Sequence, residues 1–448
     1  MLKLNGASLL TAFSVFLLLA SCESPKDQLS DQKNEVNIQV KPYEWREGSV
    51  FREYTYFGPD APGHGQLWPV KIEEVDPGSK FSSKEIPTVE DRVVRARSPR
   101  ILNMVKADAN YAELLLELTN CHIGTPGWYT YNHKEKSRSW LPLPREVGTP
   151  GPPELYHHTI LGSRDEPLNL DWIVEGENIF QFTAGPQMKY SWDFGCFWVY
   201  DFTVRMYYPR KAYHPSVEIV NISDGDNIGE GQEIVVEATP GSAAIKKVDV
   251  FAFNDGFNES GSGFTREWHG QLRYGIPYLH VGSISVSPYK IKWNTEWIPD
   301  QKLPVRLVAR VVDEDGWNSV SQIIEDLHFN RNERSVKRFQ AMSVPERFSV
   351  MNGQEKQCEF FVDSPVENAK KAVIMVNTSF GSEALECVCL NDVEIGSKFG
   401  RQNRYGTDTL DVDISILKKG KNMFIIKGSK TNHGPEFDWP GPSLFIEY

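Results

Sequence analysis

From about Val40 to Tyr448 the apolar residues fall in short runs, many of them alternating with polar positions. No stretch sustains the spacing of an amphipathic helix. Runs rich in Val, Ile, Leu, Phe and Tyr, such as Ala112–Leu118, Val217–Ile222, Glu233–Ala238, Val305–Val312 and Met423–Lys427, are separated by Gly, Pro, Asn and Asp. Period-two runs punctuated by turn residues predict strands, and many of them in succession predict an all-β chain of sandwiches.

Two segments echo each other. Leu168–Phe180 and Leu410–Phe424 each place a Gly-x-Asn turn ahead of an apolar strand. Each is preceded by an apolar strand (around Ala112 and Ala372) and by a strand ending in asparagine (Asn132 and Asn391). Each is followed by a closing strand, Val199–Tyr208 or Ser443–Tyr448. This order resembles the galactose-binding-like jelly roll. Between the two copies, residues 216–332 carry an immunoglobulin-like series of strands, with Asp313-Glu-Asp-Gly-Trp317 as a turn. The expected organisation is a jelly-roll β-sandwich over 42–215, an Ig-like sandwich over 216–332 with a long insertion at 253–283, and a second jelly-roll β-sandwich over 333–448. A chain of 448 residues exceeds a single core, in line with several domains.

The N-terminus has a different pattern. A lone Lys3 precedes an apolar stretch from Ala7 to Ala20, which is too short to span a bilayer and reads as an export signal. It closes on Leu19-Ala20-Ser21-Cys22, which resembles a bacterial lipobox. The resemblance implies cleavage of residues 1–22 before an acylated Cys22, a polar tether over 23–41, and an outer-membrane lipoprotein facing the cell surface or the periplasm. A plain signal peptide with a chance cysteine is the alternative.

A net charge of −12 offers no basic face to displace counterions from phosphates, so nucleic acid is excluded as a partner class. The 12 Trp, 17 Tyr and 24 Phe suit sandwich cores, and equally the stacking surfaces of a sugar binder. Cys121 with Cys196, and Cys358 with either Cys387 or Cys389, are the disulfides an oxidising compartment would allow, with free buried thiols the equal alternative.

No nucleophile elbow, phosphate loop, zinc-protease helix or EF-hand loop is present. Chemistry has to come from looser groups. The insertion 253–283 stands where a hairpin needs only about two to five residues. It concentrates Arg266, Trp268, His269, Arg273, Tyr274, Tyr278 and His280. His and Tyr transfer protons and Arg grips carboxylates. A self-packed loop at a domain contact is the plain alternative. A second group gathers His122, His157, His158 and Trp192. A third, Thr431–Pro442, holds His433, Glu436, Asp438 and Trp439. Trp268, Trp192 and Trp439 are the candidate stacking platforms. No metal site or cofactor is evident, and structural calcium is left open.

A tethered chain of jelly-roll and Ig-like modules resembles the lipoproteins of polysaccharide-utilisation systems, and within them a marine family that includes an ulvan oligosaccharide dehydratase. The resemblance implies an acidic polysaccharide or oligosaccharide as partner, together with other proteins of such a system, and a carbon–oxygen lyase activity. Elimination of water from a terminal uronic acid needs a cation on the carboxylate, a base for the C5 proton and an acid for the leaving hydroxyl. Arg266 or Arg273, His269 or His280, and Tyr274 or Tyr278 are the corresponding candidates. A non-catalytic glycan-binding protein is the competing expectation.

Overall fold

The computed structural model describes residues 42–57, 69–71, 100–119, 127–132, 141–142, 160–161, 165–184, 196–261, 264–270, 276–331, 333–345, 348–350, 353–378, 385–396, 406–428, 437 and 441–448. Among these the protein is all-β, interrupted only by short 3-10 turns. Lys41–Tyr448 forms one compact unit. Cys22, its tether, Arg273, Tyr274, Trp192, Trp439, Cys121, His122, His157 and His158 lie outside the described residues.

The two echoing segments adopt the same topology. In the first sandwich one sheet runs in the order Arg100–Met104, Gly176–Ala184, Gly127–Tyr131, Leu141–Pro142. In the last sandwich the matching sheet runs Glu355–Val362, Gly420–Gly428, Leu385–Leu390, Val393–Gly396. The repeat extends to single hydrogen bonds. Asn178 and Asn422 are both fully buried. Asn178 Oδ1 accepts from Val174 N (2.9 Å) and its Nδ2 donates to Val174 O (2.8 Å). Asn422 makes the same pair with Lys418, at 2.8 and 2.6 Å. Asn132 and Asn391, at φ 50° and 52°, each donate to their partner asparagine at 2.7 and 2.8 Å. Asn tolerates this left-handed backbone, and its side chain satisfies a loop that no ladder reaches.

Opposite these sheets lie the closing strands. In the last sandwich Val336–Gln340, Ser443–Glu447, Lys371–Thr378 and Gly406–Val412 complete a core that includes Phe348, Phe360, Ile374, Phe424 and Leu444. In the first, Val50–Phe57, Cys196–Tyr208 and Tyr111–Thr119 cover Phe180, Phe182, Phe202 and Tyr129.

The middle sandwich sets Ser216–Ile219, Glu233–Thr239 and Tyr289–Lys292 against Ile245–Asp255, Val305–Asp313, Trp317–Val320 and Ile324–Phe329. Val248, Val250, Leu307 and Trp293 lie in its core. Its second sheet does not stop at the boundary expected near residue 215. Val50, Phe51 and Arg52 pair with Ser319, Asn318 and Trp317, which joins the first two sandwiches in one sheet. Behind the join, Tyr43, Trp45, Phe51, Tyr207, Phe251, Phe253 and Trp268 make a separate aromatic core.

Buried charges run through this join. Arg310 bonds Asp249 Oδ2 through Nη2 (2.6 Å) and Nε (3.1 Å), and Glu53 through Nη1 (3.2 and 3.3 Å). Glu53 also accepts from Arg205 Nε at 2.7 Å, and Arg205 Nη1 donates to the Tyr43 hydroxyl at 2.5 Å. Burial raises the Asp249 pKa, but Arg310 and Lys247 overcome it and hold the carboxyl at about 2.

The bridge considered from Cys358 to Cys387 or Cys389 is absent, and all three cysteines are free. Cys358 pairs with Phe424 on one side of strand Gly420–Gly428, while Cys387 and Cys389 pair with Lys427 and Ile425 on its other side. An intervening strand puts the two sides about 9–10 Å apart, too far for a disulfide.

Candidate functional site

The insertion folds as an extension of strand Ile245–Asp255. Arg266–Trp268 turns back onto its end, with Phe253, Asn254 and Asp255 opposite Trp268, Glu267 and Arg266. Gly282–Ile284 then pairs with Val248–Val250 lower on the same strand. Side chains of a strand alternate in direction, so Arg266 and Trp268 share one face and Glu267 takes the other.

The first face is core. Trp268 is 2% exposed, stands edge-on to Phe253 at 5.6 Å, and donates Nε1–H to Glu44 Oε2 at 3.0 Å. Arg306 lies over both rings. With its faces covered by protein, Trp268 is not available as the stacking platform expected from sequence. Arg266 donates to Pro304 O and covers the Phe253 ring at 5.0 Å.

The second face brings Glu259, Glu267 and His269 together, all buried, with ligand atoms within 4.8 Å of one another. His269 Nδ1 is 2.8 and 3.0 Å from the two Glu259 oxygens, and Nε2 is 2.9 Å from Asn254 O. Gly270 N–H donates to Glu259 Oε1 (2.8 Å), and Ser260 Oγ to Glu267 Oε1 (2.8 Å). Burial would lower the His269 pKa, but the Glu259 carboxylate against the ring, with Glu267 behind it, raises it to about 9. Two glycines make this possible. A Cβ on Gly256 would stand 2.8 Å from Cε1 and Nε2 of His269. One on Gly270, at φ 72°, would stand 2.3 Å from Tyr278 O.

Glu259 and His269 line a cleft of about 350 Å³, whose other walls include Asn254, His280, Trp293, Asn294 and Trp297. Met375, Thr407 and Thr409 close it from the last sandwich. The two sandwiches are fastened beside the cleft. Asn377 Nδ2 donates to Asn258 O (2.8 Å), Arg338 binds Asp255 (3.2 Å) and the Gly256 carbonyl, and Phe257 packs on Phe445.

His280 packs beside Phe251, and its Nε2 is 2.7 Å from Ser283 Oγ. Ser283 gives its one proton to Asp249 Oδ1 at 2.5 Å, so it accepts from His280 Nε2–H. In the neutral ring the lone pair is then on Nδ1. Burial lowers the His280 pKa to about 4, with Arg310 and Lys247 opposing Asp249. The buried ion network of the first two sandwiches therefore ends at a histidine in the cleft. Tyr278 stands two residues before His280, its N–H donating to Gly270 O (3.1 Å).

Of the insertion residues named from sequence, the structure brings His269 and His280 to one cleft and places Arg266 and Trp268 away from it. Sequence reasoning did not single out Glu259, Glu267, Trp297 or the threonines. Glu259 and Glu267 sit inside the flagged insertion, and two carboxylates flanking its glycine-rich stretch were the available signal. Thr407 and Thr409 carried none.

The fold thus defines a class, an all-β multi-sandwich protein with a cleft at a sandwich junction. No family model matches the chain, and no curated protein matches it. Solved structures similar to it include a family 86 glycoside hydrolase in complex with neoagarooctaose (14% identity over 52% of this chain and 30% of that one, TM-score 0.21). Another is a β-porphyranase of that family from the human gut bacterium Bacteroides plebeius (13%, 53% and 37%, TM-score 0.21). A third is a carbohydrate-binding module of the β-sandwich superfamily (9%, 53% and 97%, TM-score 0.16). This chain covers about a third of the length of the two hydrolases. Likeness at these scores carries no argument about activity or substrate.

Proposed function

We propose that this is an envelope-anchored, carbohydrate-active protein that takes the end of an acidic oligosaccharide into the cleft between its middle and last sandwiches. The observation behind the reading is the make-up of that cleft. A partly buried Trp297 lies beside Asn254, Asn294, Thr407 and Thr409, with His280 and the Glu259–His269 pair on the same wall. An aromatic face with amide and hydroxyl neighbours suits a pyranose ring. Lipidation at Cys22 belongs to the same proposal and rests on the sequence alone.

The reaction proposed is loss of water across C4 and C5 of a terminal uronate of ulvan type. His280, unprotonated at neutral pH, takes the C5 proton on Nδ1. The electron pair left at C5 forms the C4–C5 double bond. The C4 hydroxyl leaves as water with a proton from Tyr278, and His269, which holds a proton at neutral pH, is the cleft cation offered to the substrate carboxylate.

A glycan-binding role without turnover is the second reading. It is favoured by His269, whose two nitrogens both face acceptors and leave no site for a transferred proton. Incubation with ulvan-derived uronic oligosaccharides separates the two. Ultraviolet absorbance of an unsaturated uronate, with a product mass lower by one water, marks the dehydratase, and His280→Gln should abolish it while sugar binding persists. A flat trace with saturable binding marks the binder. A trace with no absorbance change, together with no sugar binding, would refute the carbohydrate reading.

A further inference from the structure

We propose that Glu259, Glu267 and His269 form a binding site for a divalent transition-metal cation of the Zn²⁺ or Mn²⁺ type, open to the cleft. The donor set is one imidazole and two carboxylates, which suits these ions better than an all-oxygen calcium site.

Their spacing fits one ion. Ligand bonds of about 2.0–2.2 Å place donor atoms on a common ion roughly 3–4.3 Å apart. The three side chains offer atoms within 4.8 Å of one another, and the His269–Glu259 contacts are 2.8 and 3.0 Å. The 4.8 Å limit is about 0.5 Å above that span, and the His269–Glu259 hydrogen bond lies below it, so binding an ion displaces the proton between them and shifts the three side chains onto one centre.

The second observation is how His269 is held. Its Nε2 lies 2.9 Å from the carbonyl of Asn254. A ligating histidine commonly donates its other N–H to a backbone carbonyl, which fixes the tautomer and aims the remaining nitrogen at the metal. Here that nitrogen is Nδ1, the one facing the Glu259 carboxylate. The bare backbone of Gly256 seats the ring, since a Cβ there would stand 2.8 Å from it. Both carboxylates are oriented as well, Glu259 by Gly270 N–H and Glu267 by Ser260 Oγ.

A third observation is an unsatisfied polar atom beside the group. Asn258 is 1% exposed, and its Oδ1 lies 3.2 Å from Ser260 Oγ, whose one proton goes to Glu267 at the shorter distance. Its Nδ2 is buried and has no hydrogen-bond partner among the described residues. A buried amide donor without an acceptor is costly, and a metal-bound water would supply one. With three protein ligands and the cleft on one side, the ion keeps positions for water or for a sugar carboxylate. That last step rests on the carbohydrate reading; cation binding does not.

The test is made on the full chain without sugar. After chelator treatment and dialysis, Zn²⁺ and Mn²⁺ are titrated separately by calorimetry, with Ca²⁺ as control, and retained metal is counted by mass spectrometry. One equivalent per chain is expected, with tighter binding of Zn²⁺ or Mn²⁺ than of Ca²⁺. Glu267→Gln, which keeps the Ser260 contact, should weaken binding at least ~10-fold with an unchanged melting temperature of the metal-free protein. Absence of a stoichiometric site, equal binding by Glu267→Gln, or a preference for Ca²⁺ would overturn the assignment. Metal binding with no sugar turnover would leave it standing and sink only the dehydratase.

Discussion

Replacing Arg310 by Met probes the join between the first two sandwiches. Arg310 is 1% exposed and its guanidinium serves Asp249 and Glu53 at once. Methionine fills much of the same volume, so the loss is electrostatic more than steric. Stranding a buried charge costs roughly 3–5 kcal/mol. Lys247 remains 3.1 Å from Asp249, and Arg205 remains 2.7 Å from Glu53, which argues for the lower end, about 3 kcal/mol. The lowered carboxyl pKa, to which Arg310 contributes together with Lys247 and Ser283, points to a similar size. Asp249 is held at about 2 against an ordinary 3.8, a difference of nearly two units, or about 2 kcal/mol. Because its folded pKa is the lower one, that contribution is full above about pH 4 and is lost as pH falls from there toward 2. Urea unfolding at neutral pH, followed by tryptophan fluorescence, should show the midpoint lowered with the slope unchanged. The deficit relative to wild type should narrow as pH falls through the same window. A loss below about 1 kcal/mol at neutral pH, the value of an exposed pair, would refute the reasoning. So would a deficit that does not change with pH.

Two further outcomes follow from the geometry. Asn178→Ala and Asn422→Ala should each cost about 2–4 kcal/mol, because each strands several buried backbone groups, and unfolding measurements should find the two losses similar; a negligible loss in either would mean its loop is satisfied by water. If His280 is the base, activity on the oligosaccharide should fall on an acid limb near pH 4, where the ring gains its proton, and a limb near the ordinary histidine value of 6.5 would assign the base elsewhere.

Much of the strand inventory was legible because it is written locally. Alternation in Glu233–Thr239 and Val305–Asp313 needs no distant partner to be read. The repeated Gly-x-Asn turn was legible for the same reason. Gly176 and Gly420 adopt φ 85° and 91°, and the asparagine two residues on bonds back to the turn it follows. Such signals recur wherever the same short-range geometry recurs, so the doubled jelly roll could be seen before any contact was known. The insertion stood out by its length and by the proton-transfer side chains it carries.

What the site contains was decided by tertiary structure. Alternation assigns Trp268 and Glu267 to opposite faces of a strand, but it does not say which face another domain will cover. The aromatic core under the first sandwich covers the Trp268 face. The other face is left to Glu259, Glu267 and His269, which meet only because the chain reverses between them. Met375, Thr407 and Thr409 reach the cleft through packing of the last sandwich on Phe257 and Asn258. Likewise, residues at opposite ends of two domains pair as Phe51 with Asn318. Strand pairing across hundreds of residues depends on which edge is left open and which apolar face needs cover. Those are properties of the assembled sheets, and a pattern with a period of two residues does not encode them.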